Sequence, residues 1–269
     1  VTAVDPLNAA ATVGGDLTPF FVRWRAWSDE TRAQITHQRD LAYGATPDEL
    51  LDLFVPRAGA PLVVFFHGGY WRRLHKDDMT YVARALGAHG VACAVVNYAL
   101  APAVTLETIV AQARRSVAWL RRHAAQFGAD PTRLVVAGHS AGGQLAAMCA
   151  VDAPVAAVVT ISGLHDLRAV ARSFANEWLQ LDEPRAAALS PVLLEPAAPC
   201  IVTATAGEHE TSAFHAQGRE FAEAWSAHGC DTTYADSAGD NHFTICDRLN
   251  DPNDALVVRT AALANGDAA

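Results

Sequence analysis

From Pro61 onward the chain alternates short β-branched apolar runs with longer segments of helical period, the pattern of parallel strands joined by crossover helices. The runs are Leu62–Phe66, Val91–Val96, Leu134–Ala137, Val155–Ile161 and Ile201–Thr205. Hardly a polar residue interrupts them, so both faces of each strand are covered, as in the centre of a sheet between two helix layers. Between the second and third runs, Leu106, Ile109, Val110, Ala113, Val117 and Leu120 recur at helical spacing. Arg114, Arg115, Arg121 and Arg122 lie largely off that stripe and read as a solvated helix face, and Gly128 can close the helix. The first sixty residues differ. Pro19 can start a helix that places Phe20, Trp24 and Trp27 on one face. Weaker strand-like stretches follow at Thr36–Tyr43 and Leu50–Val55, suited to antiparallel edge strands. The aromatic stripe fits core packing, since these rings bury so much area, and a ligand wall stays open as its second use. The Ala-rich ends, Asn8–Thr12 and Thr260–Ala269, read as fraying termini. With no repeat or low-complexity linker, residues 1–269 are expected to form one α/β domain.

Composition narrows the partners. Among 269 residues, 51% are hydrophobic, enough for a large core. Twenty Lys and Arg against 29 Asp and Glu give a formal net charge of -9, which leaves no basic footprint for nucleic acid or anionic lipid. A small-molecule substrate is the expected partner, and homo-oligomerisation stays open. Cys93, Cys149, Cys200, Cys230 and Cys246 are odd in number, lack metal-ligand spacing and sit mostly in apolar segments, so free thiols in a reducing cytoplasm are expected. Val1–Phe20 lacks the basic start and apolar stretch of a signal peptide. No apolar run reaches the roughly 18 residues of a membrane span. A soluble, cytoplasmic protein is the expectation.

The chemistry concentrates in three places. Gly138-His139-Ser140-Ala141-Gly142 follows the run Leu134–Ala137 and precedes a helix-forming stretch, Gln144–Ala150. That is the context of a nucleophile elbow, where a tight strand-to-helix turn exposes a serine hydroxyl beside a helix N-terminus. Flanking glycines avoid clashes in the strained turn. His67-Gly68-Gly69-Tyr70-Trp71 begins where Leu62–Phe66 ends, where backbone N–H groups can complete an oxyanion hole. The donors expected are Gly69, Tyr70 and Ala141, with His67 bracing the loop. Tyr70 and Trp71 suit the substrate pocket wall or packing beneath the loop equally. A serine needs a base, and His242, in the polar loop Gly239-Asp240-Asn241-His242-Phe243 after the strand-like Thr232–Ala235, stands where the order serine, acid, histidine requires one. His139 lies inside the elbow, and His37, His75, His89, His123 and His228 lie away from any motif. For the acid, Glu208 and Glu210 compete after Ile201–Thr205. Glu210 is favoured because hydrolases built on this elbow often place the acid there in a Gly-Glu-x-Asp pattern. Asp236 and Asp240 are remoter. His209, Glu210 and His215 do not match zinc-protease spacing, so neither metal nor cofactor is expected.

Taken together, HGGYW and GHSAGG resemble the serine-type kynurenine formamidases, or arylformamidases, within the esterase and lipase branch of the α/β hydrolases. Most of the chain takes part. The resemblance implies the α/β-hydrolase fold, a mostly parallel sheet with helices on both faces. It also implies a small cap insertion over 163–199, entered through Ile161-Ser162-Gly163-Leu164-His165-Asp166-Leu167 and left at Ser190-Pro191. GEHETSAFHAQ, Gly207 to Gln217, is similar to the family's acid-bearing stretch, where aspartate usually stands in place of Glu210. Hormone-sensitive-type lipases carry a third glycine where Tyr70 stands, so HGGYW favours the formamidase side. The implied reaction, a step of tryptophan catabolism, is hydrolysis of an N-formyl arylamine such as N-formylkynurenine through an acyl-serine. A carboxylesterase is the alternative; a non-catalytic binding protein would be expected to lack nucleophile, base or acid.

Overall fold

Polar alternation is missing from the apolar runs because those strands lie inside one eight-stranded sheet. A computed structural model describes residues 5–267. Its strands are β1 (His37–Ala42), β2 (Leu50–Phe54), β3 (Ala60–Phe66), β4 (Ala92–Val96), β5 (Ala129–His139), β6 (Ala157–Ile161), β7 (Ile201–Gly207) and β8 (Asp231–Ser237). They are ordered β1-β2-β4-β3-β5-β6-β7-β8. The pairs β1/β2 and β2/β4 are antiparallel and every other pair is parallel. All residues of β3, β4 and β6 are buried. Of the two strands expected at an edge, only β1 lies there, because β2 is inserted between β1 and β4. The β1 register shifts between Gln38 and Leu41, with Asp40 at φ 54°. At the opposite edge β8 alternates exposed and half-buried positions from Asp231 to Ala235, and Asp236 is exposed as well.

The helices are α1 (Thr18–Gln34), α2 (Lys76–Met79), α3 (Val82–Gly87), α4 (Leu106–His123), α5 (Ala141–Asp152), α6 (Leu167–Val170), α7 (Asn176–Leu179), α8 (Glu183–Ala188), α9 (Ser212–Ala227), α10 (Thr244–Arg248) and α11 (Ala255–Asn265). The apolar stripe of α4 is buried as its spacing predicts; α4 ends at His123, and Gly128 closes the following single 3-10 turn in left-handed geometry instead. Helix α4 packs on α5, whereas α3 and α11 pack together on β3 residues such as Val63 and Phe65. Segment 163–199, between β6 and β7, carries α6, α7, α8 and a 3-10 turn at Pro191–Leu193. Among the described residues no helix is long and apolar enough to cross a membrane.

Both ends depart from the fraying expected of their alanine-rich composition. Ala9–Val13 forms a 3-10 turn with Leu7 and Ala9 buried, because the segment bonds to Tyr70 and to Phe174. Helix α11 runs through the C-terminal stretch to Asn265 with Ala261, Leu263 and Ala264 buried, since alanines fit close against the sheet. Residues 268–269 of that stretch lie outside the described residues. All five cysteines are free and buried.

Parallel register then sets the site. Phe66 pairs with Gly138, His139 with Ile161, Ile161 with Thr205 and Gly207 with Ser237. Four carboxyl ends therefore finish level, and the loops that leave them meet.

Candidate active site

Ser140 sits between β5 and α5 at φ 55°, ψ -120°, a conformation that L-residues adopt only when neighbours enforce it. The enforcement is close packing. A Cβ on Gly138 would stand 2.2 Å from the Gly142 carbonyl oxygen, and one on Gly142 would stand 2.1 Å from that of Phe66. The Ser140 N–H donates to the Ile161 carbonyl at 2.8 Å, fixing the turn on the neighbouring strand.

The Ser140 hydroxyl lies 3.1 Å from Nε2 of His242, and Nδ1 of His242 lies 2.7 Å from Oε2 of Glu210. Serine, histidine and carboxylate are all buried. Glu210, not Glu208, reaches the imidazole: Glu208 is exposed and accepts the Gly239 N–H at 2.8 Å. Asp240 accepts from Ser237 and Arg248, and Asp236 from Tyr234, so neither is free for His242. The second oxygen of Glu210 accepts from the Ser162 hydroxyl at 2.5 Å and from the Gly207 N–H at 2.7 Å. Burial alone would raise the Glu210 pKa, but the imidazole, Ser162 and the Gly207 N–H outweigh it and hold the carboxyl below its ordinary value. Ser162 was invisible as a partner in the sequence. It follows β6 at φ 52° with its N–H on the Thr205 carbonyl at 2.7 Å, and only a strained residue one position past a central strand could have signalled it. His215, which might have joined a metal set with Glu210, instead bonds Tyr234 and Asp236. Among the described residues no cluster of three His, Cys, Asp or Glu is arranged to hold a metal.

The loop after β3 carries the second group. Gly69, Tyr70 and Trp71 have φ of 101°, 52° and 55°, left-handed values that a non-glycine residue holds at a cost of about 1 kcal/mol each. Several bonds compensate. The Arg72 and Arg73 N–H groups both donate to the Gly69 carbonyl at 3.0 Å, Ala101 N–H donates to the Trp71 carbonyl at 2.7 Å, and Trp178 Nε1 donates to the Tyr70 carbonyl at 3.0 Å. Among the described residues, the N–H groups of Gly69, Tyr70 and Ala141 find no acceptor in the protein. Trp71 must be removed from the expected pocket wall. Its left-handed backbone turns the indole inward, where it is wholly buried and donates to Gln144 Oε1 at 3.2 Å. Tyr70 does face the cavity, and its hydroxyl ties down the N-terminal segment, donating to the Leu7 carbonyl at 2.5 Å and accepting from the Ala9 N–H at 3.3 Å.

Above Ser140 lies a cavity of about 240 Å³. Phe21, Trp24, Phe243, Phe174, Trp178 and Tyr70 supply aromatic walls, with Ser140 and His242 in the lining. Its boundary comes from parts distant in sequence, and Asp5 clips two of them by accepting the Phe174 N–H at 2.7 Å. Of the aromatic stripe on α1, Trp24 serves both readings: buried and bonded to Asp247 at 2.8 Å, it also borders the cavity. Trp27 packs on Tyr81 instead. His139 donates to the His242 carbonyl at 2.9 Å, and His67 stacks on Tyr98 with ring centroids 4.2 Å apart. Burial pushes both imidazoles down to about 3, so they are neutral braces.

Known proteins share this arrangement of elements. The BD-FAE family model matches residues 51–180. Kynurenine formamidase of Danio rerio is 29% identical over 85% of this chain and 82% of its own length, and that of Salmo salar 30% identical over 79% and 76%. A solved structure from Silicibacter sp. TM1040, described only provisionally as a thioesterase, is 32% identical, with a TM-score of 0.84 over 94% of this chain and 97% of that one. The metagenomic carboxylesterase EstE1, 20% identical, shares the fold with a TM-score of 0.74 over 93% and 95% of the two chains.

Proposed function

Because the chain belongs to the kynurenine formamidase family of α/β hydrolases, and is therefore an enzyme, we propose that it hydrolyses N-formyl arylamines such as N-formylkynurenine through a formyl-serine intermediate. The observation that carries this reading is the relay Ser140–His242–Glu210, at 3.1 and 2.7 Å, opening on an aromatic-walled cavity. In the proposed reaction His242 Nε2 takes the Ser140 proton as Oγ attacks the formyl carbon. The oxyanion is held by the unspent N–H groups of Gly69, Tyr70 and Ala141, each such donor contributing about 3 kcal/mol to catalysis. The C–N bond then breaks, and the imidazolium gives its proton to the departing arylamine. Water, deprotonated by His242, attacks the formyl ester and releases formate, restoring Ser140.

An aryl formamide suits esterase-like parts, because delocalisation of the nitrogen lone pair into the ring makes its carbonyl more electrophilic than that of an alkyl amide. Formyl is the smallest acyl group, and the aromatic walls favour an aryl leaving group. The second reading, a carboxylesterase, rests on the same relay, which cleaves esters by identical steps.

The test compares kcat/KM for formyl, acetyl and butyryl derivatives of one arylamine with that for short p-nitrophenyl esters, using wild type and Ser140→Ala. Values falling from formyl to butyryl, with both turnover and organophosphate labelling lost in Ser140→Ala, are expected. Ester cleavage without formamide cleavage establishes the alternative, and labelling that survives the substitution removes Ser140 from the chemistry.

A further inference from the structure

The cavity is largely apolar and aromatic; besides Asn8, His139 and the Ser140–His242 pair, the polar side chains that border it are Arg72 and Arg73. Both are exposed, and among the described residues neither guanidinium pairs with a carboxylate or donates a hydrogen bond. The chain carries 29 acidic residues and a formal charge of -9, and several arginines elsewhere reach one of those carboxylates, as Arg23 does Asp247, Arg32 Asp77 and Arg185 Glu107. Among the described residues, no Asp or Glu borders the cavity. The Arg72 guanidinium is further held over the Trp178 ring, 4.6 Å from its centroid, and that indole is itself fixed to the Tyr70 carbonyl at 3.0 Å. The turn that presents both side chains is closed by their own N–H groups on the Gly69 carbonyl, so the positive rim is built on the same loop as the candidate oxyanion donors.

We propose that Arg72 and Arg73 select substrates whose aryl leaving group carries a carboxylate. The ring would fill the aromatic cavity, and the carboxylate would reach the rim, where guanidinium groups offer paired donors matched to its two oxygens. In an acidic molecule this rim also attracts anions that the rest of the surface repels. The same lining makes a sharper statement. With two cations and no carboxylate around it, the site reads a substrate's acid and not an ammonium group beside it. An amino-acid side chain on the ring is therefore recognised through its carboxylate alone.

This rests on the formamidase reading for the choice of scissile bond but not for the choice of leaving group, and the experiment separates the two. Wild type, Arg72→Gln, Arg73→Gln and the double variant are assayed on N-formylkynurenine, its carboxamide and its desamino analogue. The quantity read is the ratio of kcat/KM for each acid over the carboxamide within one protein, so that general damage cancels. A charge-assisted hydrogen bond contributes about 1.5–3 kcal/mol, so wild-type ratios of at least about tenfold are expected, falling to near unity in the double variant. The desamino acid should retain the preference. Equal ratios in wild type and double variant, a wild-type ratio near unity, or loss of the preference in the desamino acid overturns the assignment. The same comparison is made with aryl acetates that carry or lack a ring carboxylate. If formamides are not cleaved, the formamidase reading fails while the ester pair still decides the role of the arginines.

Discussion

Glu210 is held from three directions, and this bears on how a glutamate can reach His242 from a position where the family resemblance implies aspartate. One oxygen meets His242 Nδ1, while Ser162 and the Gly207 N–H take the other. Those two donors fix the longer side chain against the carboxyl end of β7. Glu210→Gln keeps the shape but removes the negative charge that stabilises an imidazolium, so kcat should fall by about 10³- to 10⁴-fold. Glu208→Gln, at an exposed side chain that only braces the Gly239 turn, should stay within a factor of about 3. Steady-state rates on variants shown folded by circular dichroism check the ranking; a larger loss at Glu208 would break the assignment. Ser140 and His242 were legible because an elbow and a polar loop after a strand leave marks in sequence. Trp71 was not. An aromatic beside paired glycines suits pocket wall and packing beneath the loop equally; three successive left-handed residues rotate it into the core, and nothing in the residue types announces that rotation.

Among elements, the contact between α5 and β3 controls where Ser140 stands. Gly142 opens α5 where a Cβ would lie 2.1 Å from the Phe66 carbonyl oxygen and 2.5 Å from that of His67. Backbone cannot yield there as a flexible side chain would. Gly142→Ala should therefore push α5 off the end of β3, destabilising the fold by about 3 kcal/mol and lowering Tm on the order of 5–10 °C. Activity should fall further than stability, because the same shift moves Ala141 N–H away from the Gly69–Tyr70 loop. Calorimetry and kinetics on one preparation test this, and an unaltered Tm would show that the contact relaxes. The parallel strands and α4 were visible through their periodicity. The N-terminal turn was not, because Asn8–Thr12 has no apolar period, and its order comes largely from Tyr70 and Phe174, both distant in sequence.

Across the whole molecule, three buried histidines make stability depend on pH. Burial holds His67, His139 and His165 down to about 3 from an ordinary 6.5, so the folded state resists protons that the unfolded chain accepts. Their contribution is complete above about pH 6.5 and is lost as pH falls toward 3, at about 1.4 kcal/mol per pH unit for each. Glu210, with its pKa lowered, acts in the same direction: its stabilisation is present above the unfolded carboxyl value and disappears as pH falls through the folded one. Urea unfolding should show a drop of about 3 kcal/mol between pH 6.5 and 5.5, and about 4 kcal/mol over the next unit. His165→Gln should reduce the slope by about a third, since one of the three titrations is gone. A slope unchanged by that variant would mean His165 is protonated inside the fold.

The two ends of the sheet govern how copies of the chain behave when crowded together. An open strand edge invites a neighbouring molecule to continue the hydrogen-bond ladder, the first step toward a fibrous aggregate. At β1 the register break and the left-handed Asp40 put a kink and charges where a flat template would be needed. At β8 exposed polar positions recur along the margin, with Asp231 at its start and Asp236, held by Tyr234, His215 and Arg219, near its end. Edge-to-edge growth is thus opposed by shape at one margin and by exposed polar and charged side chains at the other, and the long apolar strands between them stay shielded from self-templating.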